Sequence, residues 1–293
     1  MRHALVFGGS GQIGRPLMDR LRRNGWRVTA VSREPRSDMP SVQWLRGDFS
    51  AMPALPGDVE AILSCGPLDH FARWYADAQV ASPRVIAFGS TSVDTKLGSA
   101  DPGERDLARR LREGEAGVFA VAATRNAHAT LLRPTLVYGA GRDATLTRIA
   151  QMAQHWSRFV LPRRADGLRQ PVHVDDLADA AIACLTCEAG AGHAYALGGA
   201  ETLPYRDMVA RVLAALEPPV PVTEVPAPVF QLALLAAQAT GRMTGLGEAA
   251  VARMREDLVF DLGPAQRDFA YAPRMFRPTA AMFDPHGISG AID

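Results

Sequence analysis

His3-Ala4-Leu5-Val6-Phe7-Gly8-Gly9-Ser10-Gly11-Gln12-Ile13-Gly14 sets the architecture of this chain. His3 to Gly8 is a short apolar run that reads as a buried strand. A helical pattern follows through Leu17 and Leu21 and closes near Asn24-Gly25, where glycine suits a left-handed helix end. Between strand and helix stand Gly8, Gly11 and Gly14, a spacing with a mechanism in this setting. Gly8 permits the tight turn, Gly11 lets a pyrophosphate approach the backbone, and Gly14 lets the helix pack closely on the strand. Ser10, Gln12 and Ile13 complete the turn, and the helix N-terminus offers N–H groups and partial positive charge to phosphates.

Working outward, Arg27 to Ser32, Val42 to Arg46, Ala61 to Cys65, Arg84 to Gly89 and Ala129 to Arg133 read as further strands. Helical patterns occupy Thr145 to His155 and Asp175 to Cys187. Apolar strands alternating with helices predict an α/β fold with a doubly wound parallel Rossmann sheet. The expected division is a dinucleotide-binding domain over residues 1–200 and a small C-terminal α/β substrate lobe over 201–293, partly interleaved with 141–171. In that lobe Thr202 is expected to cap a helix running to Leu216. The Pro218 to Pro228 stretch then breaks the chain before an apolar helix around Phe230 to Ala237.

Composition narrows the partners. With 293 residues, 47% of them hydrophobic, the chain can bury a sizeable core. A net charge of +1 with no basic stripe argues against nucleic acid. No apolar run is long enough to span a bilayer, and Met1-Arg2 leads directly into a strand without a signal-peptide pattern. Three cysteines make no disulfide framework, so a reducing, cytoplasmic location is expected for a monomer or homodimer. Cys184 and Cys187 lack the second pair that a tetrahedral site needs, and the histidines show no metal-ligand spacing, so no metal is expected.

The end of the second strand bears on cofactor choice. NAD(H) binders commonly place an acid there for the ribose 2′-hydroxyl. This chain has Ser32-Arg33, and a guanidinium grips a 2′-phosphate with paired hydrogen bonds. NADP(H) is therefore favoured, with NAD(H) the alternative if Glu34 turns toward the site.

The motifs FGGSGQIG, GDFS (47–50), FGSTSVD (88–94), LLRPTLVYGAGR (131–142) and PVHVDDLADA (171–180), with DFAYAPRMFRP near the end, resemble the extended short-chain dehydrogenase/reductase superfamily in its NAD-dependent epimerase/dehydratase form. The resemblance implies that Asp48 and Phe49 flank the adenine and that Cys65-Gly66-Pro67 runs under the adenosine ribose. It implies that Ser90 polarises a substrate carbonyl and that Arg133-Pro134-Thr135 touches the nicotinamide amide. His173 to Asp176 matches a helix start bracing the substrate lobe, with Asp175 or Asp176 as N-cap.

That family's chemistry uses a Tyr-x-x-x-Lys pair, in which lysine lowers the tyrosine pKa and holds the nicotinamide ribose. Of the 32 basic residues here only Lys96 is a lysine; Ser92 stands four before it, and none of the five tyrosines has a lysine four residues later. Aligned on Glu115, the pair's positions hold Leu107 and Leu111. The resemblance thus points to an atypical branch. The expected function is an NADP(H)-dependent oxidoreductase or epimerase-like enzyme in which Ser90 polarises a carbonyl and Arg133, His173 or a water replaces the tyrosine. The alternative is a non-catalytic dinucleotide-binding redox sensor or assembly protein. The substrate is an unidentified small molecule, phosphorylated if Arg163, Arg164 and Arg169 contact it.

Overall fold

The computed structural model describes residues 2–230 and 252–284. The first strand, β1 (His3–Phe7), leads through the glycine turn into α1 (Gly14–Arg23). There follow β2 (Arg27–Ser32), β3 (Val42–Arg46), β4 (Ala61–Ser64), α2 (Leu68–Asp77) and β5 (Arg84–Phe88). A single turn of helix, α3 (Ser92–Thr95), precedes the long α4 (Pro102–Thr124) and β6 (His128–Pro134). The chain then supplies β7 (Leu136–Tyr138), α5 (Leu146–Trp156), β8 (Phe159–Pro162), β9 (Leu168–Arg169) and β10 (Pro171–His173). It continues with α6 (Val174–Cys184), β11 (His193–Leu197), β12 (Leu203–Pro204), α7 (Tyr205–Ala214) and β13 (Val222–Val225), and a further helix covers Gly263–Phe269.

Two compact units share these elements. The first takes residues 1–135, 174–197 and 260–273; the second takes 136–173, 198–259 and 274–293. In the first, seven parallel strands run in the order β11-β6-β5-β4-β1-β2-β3, the doubly wound Rossmann arrangement expected from the strand pattern. Its core gathers Leu5, Ile62, Phe71, Val85, Leu111 and Leu131. All four residues of β4 are buried, as a strand covered on both faces requires. The helix Gly263–Phe269 is tied into this unit by the Tyr195 hydroxyl, which donates to Asp268 at 2.5 Å, and by the Cys187 thiol on the Asp268 carbonyl at 3.2 Å. The second unit pairs β10 with β7 and β13 with β8 in parallel, and β12 with β9 antiparallel, around a core that includes Tyr138, Ile149, Met208 and Phe276.

Helix boundaries depart from the sequence pattern in two places. Thr202 caps nothing, because Leu203 and Pro204 pair with Arg169 and Leu168 and the helix starts only at Tyr205. Asp175 and Asp176 are not N-caps either. Helix α6 follows β10 without a linker residue, which leaves both acids inside its first turn, where the helix dipole still favours them. The apolar segment around Phe230 to Ala237 lies almost entirely outside the described residues.

One ion pair crosses the first unit beneath its carboxyl edge. Arg133, at the end of β6, donates Nε to Glu115 Oε1 of α4 at 2.7 Å and a second bond to Oε2. Its Nη1 reaches Asp94 of α3 at 3.2 Å. Glu115 is 5% exposed, whereas the Asp94 side chain is half exposed. Removing Glu115 takes two of three bonds from the partly buried Arg133 guanidinium, whereas water can replace the exposed Asp94. In urea unfolding, Glu115→Ala is expected to lose about 3 kcal/mol and Asp94→Ala less than about 1 kcal/mol.

Candidate functional site at the carboxyl edge of the sheet

Strand order reverses between β1 and β4, so the crevice where open α/β sheets take ligands lies outside the carboxyl ends of these strands. The glycine turn fills that position, and each glycine has its own reason. Gly8 sits at φ +71°, and a Cβ on it would stand 2.9 Å from the Cys65 carbonyl carbon. A Cβ on Gly14 would overlap the Gly8 carbonyl oxygen and lie 2.6 Å from Gly9 Cα. Gly11 differs: its amide donates to the Gly8 carbonyl at 2.9 Å, and an added Cβ would meet only that oxygen, at 3.1 Å. The cradle is closed underneath and open above. Helix α1 has no side-chain cap and no acid in its first turn, so no protein carboxylate there offsets its positive end. Gln12 Oε1 and Ser64 Oγ, both beside this corner, are buried without hydrogen-bond partners. These observations fit a bound dinucleotide, with Gly8 to Gly14 against its phosphates.

At the end of β2, Ser32 is buried and Arg33 is exposed. Beside them lies Arg36, which the sequence reading passed over. Its Nε donates to Ser32 Oγ at 3.4 Å, its guanidinium lies over the Trp44 ring with 5.4 Å to the centroid, and Glu34 pairs with it at 3.5 Å. At the end of β3, Asp48 Oδ1 accepts from the Ser50 hydroxyl, the Ser50 amide and the Ala51 amide. The Ser50 hydrogen bonds hold this carboxyl below its usual range. Phe49 joins an aromatic group, 5.1 Å from Phe7 and 6.4 Å from both Phe71 and Trp74. After β4, burial pushes the Cys65 thiol up to about 12, so it is no nucleophile at neutral pH. Gly66 follows, and Pro67 occupies the N-cap of α2.

On the far side of the reversal, Ser90 Oγ accepts from the Ser92 amide at 3.1 Å, which leaves its proton available. The neighbouring Thr91 spends its hydroxyl on the Pro134 carbonyl at 3.2 Å, and the Thr135 amide donates to Leu197. Bonding to Glu115 raises the Arg133 pKa, so this residue is a fixed charge and not a proton donor. On α4, Leu111 is buried and Leu107 packs against the same core. Lys96 pairs with Glu104 at 3.4 Å.

His173 belongs to the second unit. Its ring is buried, 5.1 Å edge-on from Tyr138, and lies so close to Gly139 (φ +109°) that a Cβ there would stand 2.5 Å from its Cδ2. Arg169, expected at a substrate phosphate, instead gives its guanidinium to the carbonyls of Leu168, Glu256 and Arg253, because it is buried among them. Arg163 and Arg164 are exposed. Cys184 and Cys187 are buried, and burial pushes the Cys184 thiol up to about 12. Among the described residues, no three His, Cys, Asp or Glu side chains gather as metal ligands, and no helix is long and apolar enough to cross a membrane.

Fold and turn together define a protein of the Rossmann dinucleotide-binding class. The chain belongs to the NAD dependent epimerase/dehydratase family, whose sequence profile matches residues 4–65 and 107–198. A relative, "Uncharacterized protein y4nG" of Sinorhizobium fredii (strain NBRC 101917 / NGR234), is 24% identical over 94% of this chain and 75% of its own length. Among solved structures, UDP-glucuronic acid 4-epimerase from Bacillus cereus in complex with NAD is 13% identical, with TM-score 0.71 over 98% of this chain and 99% of that one. MoeE5 in complex with UDP-glucuronic acid and NAD is 18% identical, with TM-score 0.69 over 96% of this chain and 97% of that one. At these identities the likeness to solved structures speaks for the fold.

The three glycines separate folding from binding. Gly11→Val is expected to fold normally yet lose dinucleotide binding, because its side chain enters the open space above the turn. Gly14→Ala is expected to lower the melting temperature itself, because its Cβ meets backbone. Thermal unfolding and a dinucleotide titration on both variants check the contrast.

Proposed function

We propose that this chain binds NADP(H) in preference to NAD(H) and is an atypical member of its family, one without the usual tyrosine-lysine chemistry. The observation that carries the reading is the glycine cradle, open only above Gly11, beside a β2 end that offers arginine where an acid would select NAD. Gly8, Ser10, Gly11, Gln12, Ile13 and Gly14 hold the pyrophosphate, and Ser32 and Arg33 take the 2′-phosphate. Asp48, Phe49, Cys65, Gly66 and Pro67 line the adenosine, and Pro134 and Thr135 take the nicotinamide amide. When bound, the nicotinamide supplies or accepts a hydride.

The chain's own contribution to turnover is limited. Ser90 donates one hydrogen bond to a substrate oxygen, and Arg133 adds a fixed positive charge held by Glu115. His173, buried against Gly139 and Tyr138, is the remaining candidate for proton transfer. A tyrosine acting as general acid or base is typically worth about 10²–10⁴-fold in rate, and Leu107 and Leu111 offer nothing in its place. A non-catalytic dinucleotide sensor or assembly protein is the second reading. The packing of those two leucines into the core favours it. The substrate, if one is turned over, is a small molecule; the exposed Arg163 and Arg164 suit a phosphorylated one.

Titration calorimetry tests the cofactor assignment. NADPH is expected to bind more tightly than NADH, and Arg33→Ala to weaken NADPH by about 1.5–3 kcal/mol while leaving NADH alone. Equal affinities in the wild-type protein would refute the preference. NADPH consumption with simple ketones or nucleotide sugars is expected to be slow or undetectable. A turnover of several per second would refute the atypical assignment, and single alanine substitutions of Ser90, Arg133 and His173 would then identify the proton donor.

A further inference from the structure

We infer that Arg36, stacked on Trp44, is a second guanidinium for the 2′-phosphate and the residue that sorts the two cofactors alongside Arg33. The inference rests on the NADP(H) reading above and adds a residue, a support for it and a competitor.

Three contacts place Arg36. Its Nε reaches Ser32 Oγ, the residue that ends β2 and carries the family's cofactor-selecting position. Its guanidinium lies over Trp44. The Trp44 ring tip is in turn 3.3 Å from where a Gly9 Cβ would stand. The chain of contacts Arg36–Trp44–Gly9 therefore brings the guanidinium to the same corner as the glycine turn, although Arg36 is in a loop four residues beyond the strand. The stack matters energetically. An arginine held over an aromatic face loses less freedom when it grips an anion, and the tryptophan quadrupole favours its charge. Arg33 and Arg36 are both exposed; of the two, Arg36 lies over an aromatic ring.

The charges around this corner agree. Register places Arg46 opposite Ser32 on the neighbouring strand, so the ends of β2 and β3 carry three arginines, Arg33, Arg36 and Arg46. Three carboxylates lie near them, and Asp38 is held by the Trp44 amide at 2.7 Å. Asp48 is engaged by Ser50 and Ala51 within its own turn. Glu34 remains, and it pairs with Arg36. The Glu34 side chain is 82% exposed, so it swings into water at little cost when a phosphate takes its place. Glu34 thus acts as a weak internal competitor for the 2′-phosphate.

The test uses the full chain, with NADPH, NADH, adenosine 2′-monophosphate and adenosine 5′-monophosphate as calorimetric probes. Arg36→Ala is expected to weaken NADPH and adenosine 2′-monophosphate by about tenfold or more. NADH and adenosine 5′-monophosphate are expected to stay within about twofold. Trp44→Leu removes the platform and should fall between wild type and Arg36→Ala. Glu34→Gln removes the competitor and should tighten NADPH, a gain that no folding defect imitates. If Arg36→Ala and Glu34→Gln both keep the wild-type NADPH:NADH ratio while Arg33→Ala collapses it, this inference fails and the cofactor assignment stands. If the wild-type protein shows no preference for the 2′-phosphate in either pair of probes, both fall.

Discussion

The close approach of the first turn to the end of the fourth strand governs this molecule. The backbone after β1 must fold back tightly enough that Gly8 rests on the Cys65 carbonyl and Gly14 on the Gly8 carbonyl. No residue with a side chain fits either position. Only then does α1 begin directly above the point where strand order reverses, with its positive end facing the crevice. At Gly11 the same packing leaves space, since an added Cβ would meet only the Gly8 oxygen, at 3.1 Å. Fold and binding thus share a single steric constraint, but they separate at the level of individual glycines.

The opposite half of the carboxyl edge is built on an ion pair. On α4, Leu107 and Leu111 pack into the core. Glu115, on the same helix, holds Arg133 of β6, which also reaches Asp94 of α3. The ion pair needs its geometry, since two charges taken partly out of water return their desolvation cost only through several well-made hydrogen bonds. The result is a stiff frame around Ser90 with a fixed cation and one hydroxyl proton to offer.

Much of this was legible in the sequence because it depends on local order. The glycine spacing and the apolar runs gave the doubly wound sheet, and the i, i+4 leucines of α4 lie on its packed face as their spacing implies. What escaped depends on where the chain returns after leaving a strand. Arg36 is invisible as a site residue until its loop folds it onto Trp44. Arg169 looks like a phosphate ligand until the carbonyls of 253 and 256 are seen around it. The helix starts at Val174 and Tyr205 were misread because short strands claim the residues that otherwise resemble caps. A lone histidine such as His173 gives no sign in the sequence that Gly139 and Tyr138 will enclose it.

The central claim is that a dinucleotide binds along the carboxyl edge with its phosphates on the Gly8–Gly14 turn and its 2′-phosphate beside β2. Amide hydrogen exchange with and without saturating NADPH tests it most directly. Slowed exchange is expected at residues 10–14, where the N-terminal amides of α1 gain phosphate partners, and at residues 32–36. NADH should slow the first segment and leave the second unchanged. Unaltered exchange at 10–14 under saturating NADPH, with protection appearing only elsewhere in the chain, would contradict the account.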